Sequence, residues 1–172
     1  GANSLTSANG NIVITADGEG NTGDTDYAHA VYGGDNTLTA AEGNVTVTAN
    51  NTSNAIAAGS ADGQTLIQAK DVTLEATGTA SASAIRSDGD PVLSGVSVTA
   101  DNVIATAHTT DNQIAASAVY AGGTVGAENT ITVTESLNIT ASGKGIVNAV
   151  EAAKGGTNTI NGVAGAQVAV SG

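Results

Sequence analysis

One short segment recurs six times in this chain and limits what it can fold into: NIVITA (11–16), NVTVTA (44–49), DVTLEA (71–76), NVIATA (102–107), SLNITA (136–141) and QVAVSG (167–172). The second and fourth positions are apolar in every copy: Ile12/Ile14, Val45/Val47, Val72/Leu74, Val103/Ala105, Leu137/Ile139 and Val168/Val170. The fifth is Thr in four copies, Glu75 in one and Ser171 in the last. Alternation with period two and one apolar face predicts a half-buried strand. The copies start about 31 residues apart on average, a period that belongs to stacked repeats, in which each coil buries its apolar face only against its neighbours.

Two further segments recur between these copies, which we call a. Segment b centres on Ala followed by Val or Ile: Ala30-Val31, Ala55-Ile56, Ala84-Ile85, Ala118-Val119 and Ala149-Val150, each with Gly close behind. An Ala at all five positions marks a place too tight for a larger side chain. Segment c sets a polar residue two before an aliphatic one: Asn3/Leu5, Asn36/Leu38, Gln64/Leu66, Asn129/Ile131 and Asn158/Ile160, with Pro91/Leu93 as the deviant copy. Three short strands per coil and about five coils follow, all-β and parallel, in a single domain over 1–172, with Val, Ile, Leu and Ala inside. At a strand spacing of about 4.8 Å the coils form a prism about 24 Å long. Asn recurring at the bends predicts side-chain amides bonded up and down a column. Helix competes for QIAASAVYAGG (113–123) and GIVNAVEAAKGG (145–156), but both align with segment b, which favours strand.

Only 34 of the 172 residues are Val, Ile or Leu, and Phe, Trp, Met and Cys are absent. With a net charge of -12 this composition borders on that of a disordered chain, and small side chains in close, repeated register are what rescue it. Lys70, Arg86, Lys144 and Lys154 are the only cations, so no basic cluster is available to neutralise phosphates or hold an anionic bilayer. Nucleic acid and membrane insertion are therefore excluded as expected partners. Without Cys there is no disulfide framework or thiolate site. No apolar run is long enough to span a bilayer, and GANSLTSANG lacks the features of a signal peptide; with no initiator Met, the chain reads as an excised piece of a larger one.

The N-V-T-V-T-A and N-T-L-T strings, the Asn/Gly turns, the acidic balance and the missing Cys resemble the passenger domains of type V secreted bacterial proteins, the autotransporter and two-partner adhesins. The resemblance covers the whole chain and implies a right-handed parallel β-helix (β-solenoid). It also implies a place at the cell surface or outside the cell, and attachment to a host, matrix or bacterial surface ligand, glycan or protein.

Two features could carry chemistry on such a scaffold. DGEGNTGDTD (17–26) sets Asp17, Glu19, Asn21, Asp24 and Asp26 among glycines, a candidate Ca2+ loop because hard cations take clustered oxygens. Its spacing fits neither an EF-type loop nor a glycine-rich calcium repeat, and the alternative is a solvated acidic loop. Asp88-Gly89-Asp90 before Pro91 reads as a corner loop between b and c. If Val31 and its equivalents point inward, the next residue of each b segment points outward, so Tyr32, Arg86, Tyr120 and Glu151 form a candidate contact stripe, with Ala57 in the same column.

His29 and His108 have no nucleophile motif nearby, and four cations with three aromatics do not line a polysaccharide cleft, so no catalytic residue and no required cofactor are expected. The leading expectation is a non-enzymatic structural and adhesive module. A self-assembling filament or surface-layer subunit by head-to-tail association is the alternative, with ice binding through T-x-T arrays and a polysaccharide-processing enzyme ranked lower. The outward a positions Val13/Thr15, Thr46/Thr48, Thr73/Glu75, Ile104/Thr106, Asn138/Thr140 and Ala169/Ser171 break the array that ice binding needs.

Overall fold

The computed structural model describes residues 2–18, 27–89, 94–111, 115–123, 126–153 and 155–172. Among them there are thirteen strands and no helix: β1 (Asn3–Ser7), β2 (Ile12–Gly18), β3 (Tyr27–Val31), β4 (Asn36–Asn51), β5 (Asn54–Ser60), β6 (Gln64–Gly78), β7 (Ser81–Gly89), β8 (Gly95–Thr109), β9 (Ala116–Gly123), β10 (Glu128–Ser142), β11 (Val147–Ala152), β12 (Thr157–Gly162) and β13 (Gln167–Ser171). The two Ala-rich stretches that competed for helix are β9 and β11.

All pairings are parallel, in two sheets. Segments c and a make one sheet, β1-β4-β6-β8-β10-β12 with β2 and β13 beside it; segment b makes the other, β3-β5-β7-β9-β11. The coils stack as a β-solenoid of about five turns. In the inner coils c and a run on as one long bent strand, with the register shifting at the corner between Ala40 and Asn44 and between Val133 and Ser136.

Six a segments pair in the register the repeat predicts: Ile12, Val45, Val72, Val103, Leu137 and Val168 form one column, and Ile14, Val47, Leu74, Ala105, Ile139 and Val170 the next but one. Val45, Val47, Val72, Leu74, Val103, Ala105, Leu137 and Ile139 are at most 1% exposed, whereas Val168 and Val170 on the last coil are half exposed. A fully buried Val, Leu or Ile contributes about 1.5–3 kcal/mol. Stacking is thus the source of stability, and no single coil has it alone.

Segment c departs from the expected register in two coils. Leu38 pairs with Ile67 and not with Leu66, and Ile131 pairs with Val98 and not with a residue of the Pro91/Leu93 copy. Leu66 points outward, 40% exposed. In a strand a slip of one residue exchanges faces, and with Leu66 and Ile67 adjacent the apolar pattern is satisfied either way. Hydrogen bonding decides it: Thr65 Oγ1 donates to the Gly59 carbonyl and accepts from Asn36 Nδ2 (3.2 Å), filling the place an Asn fills elsewhere. The Asn column is therefore continuous at its two ends, Asn3 to Asn36 (2.9 Å) and Asn129 to Asn158 (2.9 Å), and interrupted by Thr65 and Val96 between them.

Candidate functional site

The ladder between b strands skips one column. Asn54, Ala55 and Ile56 pair with Ser81, Ala82 and Ser83, and pairing resumes at Ala58 with Ile85. The skipped residues, Ala57 and Ala84, are fully buried. Ala82, Ala84 and Ile85 all lie in the core, as do Ala116, Ala118 and Val119. Three inward residues among four consecutive ones break the alternation of a flat strand, so the b strands bend at this column.

The bend turns two outward rows toward each other. His29, Ile56, Ser83, Ser117 and Asn148 form the first row. Tyr32, Gly59, Arg86, Tyr120 and Glu151 form the second, since Arg86 pairs with both Gly59 and Tyr120, Tyr120 pairs with Glu151, and Tyr32 follows the Val31–Ala58 pair. The rows touch across the bend. The His29 and Tyr32 ring centroids are 4.0 Å apart, with Tyr27 5.1 Å from His29 on the other side, and Ser117 Oγ donates to Glu151 Oε2 at 2.6 Å.

The four stripe residues named from the sequence thus share a column, but its second-coil member is Gly59, not Ala57, which is buried in the core. The run Ala55-Ile56-Ala57-Ala58 offers two matches to Ala84-Ile85, and the true partner of Ile85 is Ala58. Gly59 is needed there: a Cβ at this position would stand 2.5 Å from the Tyr32 ring and 2.9 Å from the Arg86 carbonyl. Tyr120 likewise lies across Gly122, where a Cβ would meet its ring within 2.6 Å.

Arg86 organises the middle of the groove. Its Nε lies 2.6 Å from Asp88 Oδ2, which also accepts from the Tyr32 hydroxyl at 3.3 Å, and its guanidinium carbon sits 4.8 Å from the Tyr120 ring centroid. Asp88, expected in a corner loop, is still in β7; Asp90 and Pro91 lie outside the described residues. Burial lowers the guanidinium pKa, but the hydrogen bond and charge of Asp88, aided by Tyr27 and Tyr120, raise it on balance, so Arg86 stays charged. Burial and then the Arg86 charge hold His29 below its ordinary value, against the pull of Asp88.

Burial and Asp88 together push the Tyr32 phenol up to about 12. Unfolded Tyr ionises near pH 10. Any stability Tyr32 contributes is therefore present below about pH 10 and is lost as pH rises through 10 toward 12. An ultraviolet titration of phenolate absorbance should show one of the three Tyr ionising near pH 12, and Tyr32→Phe should remove that late step. A late step that survives the substitution would contradict this geometry.

Asp17 is the penultimate residue of β2 and accepts from Asn50 Nδ2 at 2.8 Å. The other members of the candidate calcium loop, Glu19, Asn21, Asp24 and Asp26, lie outside the described residues. Among the described residues no group of three or more His, Asp or Glu is placed to hold a metal. His108 does meet a hydroxyl distant in the chain: its Nδ1 is 2.8 Å from Ser142 Oγ, one coil on, with no carboxylate bonded to the ring among the described residues. The outward a positions stack as columns in the order expected, with Ile104, Asn138 and Glu75 interrupting the Thr rank.

These features define a class, a parallel β-solenoid with a polar and aromatic groove along one bent sheet. No protein-family model, curated protein or solved structure matches the chain.

Proposed function

We propose that this chain is a non-enzymatic extracellular structural and adhesive module, a stiff solenoid of the kind carried as a passenger by autotransporter or two-partner adhesins. In this reading it is displayed at a bacterial cell surface and attaches to a ligand on a host cell, matrix or neighbouring cell. The supporting observation is the groove. The only Arg in the chain and two of its three Tyr stand in one column of a scaffold built otherwise from Thr, Asn and small aliphatic residues. Exposed Tyr and Arg are the side chains most often found at the centre of binding surfaces. Ca2+ held by the 17–26 loop would stiffen the first coil.

The test is the retention of protein-coated beads on epithelial cells, matrix-coated plates and bacterial lawns, wild type against Tyr120→Ala. The reading expects retention on at least one surface and roughly a tenfold loss with the variant. Retention on none of them, or loss of polymer length from added polysaccharide, would overturn it.

Self-assembly is the second reading. It is favoured by the terminal coils, where Leu5 is 41% exposed and Val168 and Val170 each 50% exposed beside strands paired on one side only. Light scattering that rises with concentration toward head-to-tail oligomers supports it, and a monomer at all concentrations counts against it.

A further inference from the structure

The groove holds a pocket of about 250 Å³ whose lining includes Tyr27, Ser83, Arg86, Ser117, Tyr120 and Glu151. Three of these side chains keep hydrogen-bonding capacity that the protein does not use. Ser83 is 3% exposed, borders the pocket, and its hydroxyl has no partner among the described residues. Arg86 spends only Nε on Asp88, and no described residue takes its Nη atoms. Glu151 receives both Ser117 Oγ (2.6 Å) and Asn148 Nδ2 (3.0 Å) on Oε2, leaving Oε1 without a bond among the described residues. Although Ser83 is buried as a residue, its hydroxyl opens onto the pocket and is free to bond a ligand; the sealed, unpartnered hydroxyls among the described residues are those of Ser94 and Thr109.

From this pattern we propose that the pocket binds one neutral sugar ring, an inference that rests on the adhesive reading and gives its ligand a chemical class. The unused groups are of both kinds: guanidinium donors, a carboxylate acceptor, and a hydroxyl that is either. A sugar hydroxyl donates and accepts at once, so adjacent hydroxyls satisfy Arg86 and Glu151 together.

A carboxylate or phosphate ligand offers acceptors only. It would leave Glu151 Oε1 unmatched and stand beside Glu151 and Asp88 on a chain of net charge -12. A cation would be repelled by Arg86. The apolar face of a sugar ring suits the Tyr27 and Tyr120 borders, and the volume holds a single ring.

The probes are galactose, glucose, mannose and N-acetylglucosamine, with galacturonate and glucosamine as the charged counterparts, added to isotope-labelled full chain and followed by amide chemical shifts. At least one neutral sugar should give saturable shifts confined to the groove, with a Kd on the order of 1 mM. Ser83→Ala and Glu151→Gln should each weaken binding about tenfold while the remaining amide spectrum is preserved. The proposal is overturned if no neutral sugar saturates, if galacturonate or glucosamine binds more tightly, or if both variants bind like the wild type. Beads retained on a surface through the groove while every sugar fails would sink this inference and leave the adhesive reading standing. Failure of both would remove the two together.

Discussion

Val103→Asp abolishes cooperative folding, while Ile104→Asp, one residue along the same strand, leaves the melting temperature nearly unchanged. Val103 is 1% exposed in a column between Val72 and Leu137, and Ile104 is 44% exposed on the outer face. A buried carboxylate without a partner costs several kcal/mol, against about 5–15 kcal/mol for the total stability of a domain. Surface changes of this kind stay within about 0.5 kcal/mol. Both residues are β-branched aliphatics, so hydrophobicity alone predicts equal damage, and only the alternation separates them. Circular dichroism melts of the two variants decide the matter, and equal effects would refute the stacked alternation.

The second large effect falls on Asn129. It is fully buried and makes three bonds: Nδ2 donates to the Tyr120 carbonyl (2.7 Å) and to Asn158 Oδ1 (2.9 Å), and Oδ1 accepts from Ser87 Oγ (2.9 Å). It ties the end of b to the start of c and joins three coils. Asn129→Ala leaves the Tyr120 carbonyl and the Ser87 hydroxyl without partners, at about 1–3 kcal/mol for each orphaned group. For a chain of this size that is a fall of roughly 10 °C in Tm. Asn129→Thr recovers part of it, because Thr65 Oγ1 holds the equivalent turn carbonyl at Gly59. Tm values for the two variants check this, and an unperturbed Ala variant would show the Asn column to be ornamental.

Segment a was fully legible because its apolar positions alternate without exception from Ile12 to Val170, so one register satisfies burial in all six copies. Segments b and c were legible as strands, and their register was legible except in one b copy and two c copies. Gln64-Thr65-Leu66-Ile67 and Ala55-Ile56-Ala57-Ala58 each carry two interchangeable apolar matches, and what separates them is hydrogen bonding and space: Thr65 at the turn carbonyl, Gly59 beneath the Tyr32 ring.

The shared column of Tyr32, Arg86, Tyr120 and Glu151 was legible. Its facing row, Ser83 and Ser117 with Asn148, was missed because the b strands were read as straight. The signal was present in Ala82-Ser83-Ala84-Ile85 and Ala116-Ser117-Ala118-Val119, where the apolar pattern skips from a spacing of two to one, as a bend requires. The bond between Asp88 and Arg86 two residues away was also available to a reading that kept Asp88 in the strand.

Because the chain has no Cys, disulfide trapping tests the stacking register most directly. Two outward pairs one coil apart are in register: Thr46 with Thr73 in the larger sheet, and Ser117 with Asn148 in the groove. Neighbouring strands stand about 4.8 Å apart, within the Cα separation a disulfide spans. Under mild oxidation the double variants Thr46→Cys/Thr73→Cys and Ser117→Cys/Asn148→Cys should each cross-link within the monomer, while Thr46→Cys/Ile104→Cys, two coils apart, should stay reduced. Cross-linking of the distant pair, or failure of both in-register pairs in protein that remains folded, would contradict the solenoid and the groove built on it.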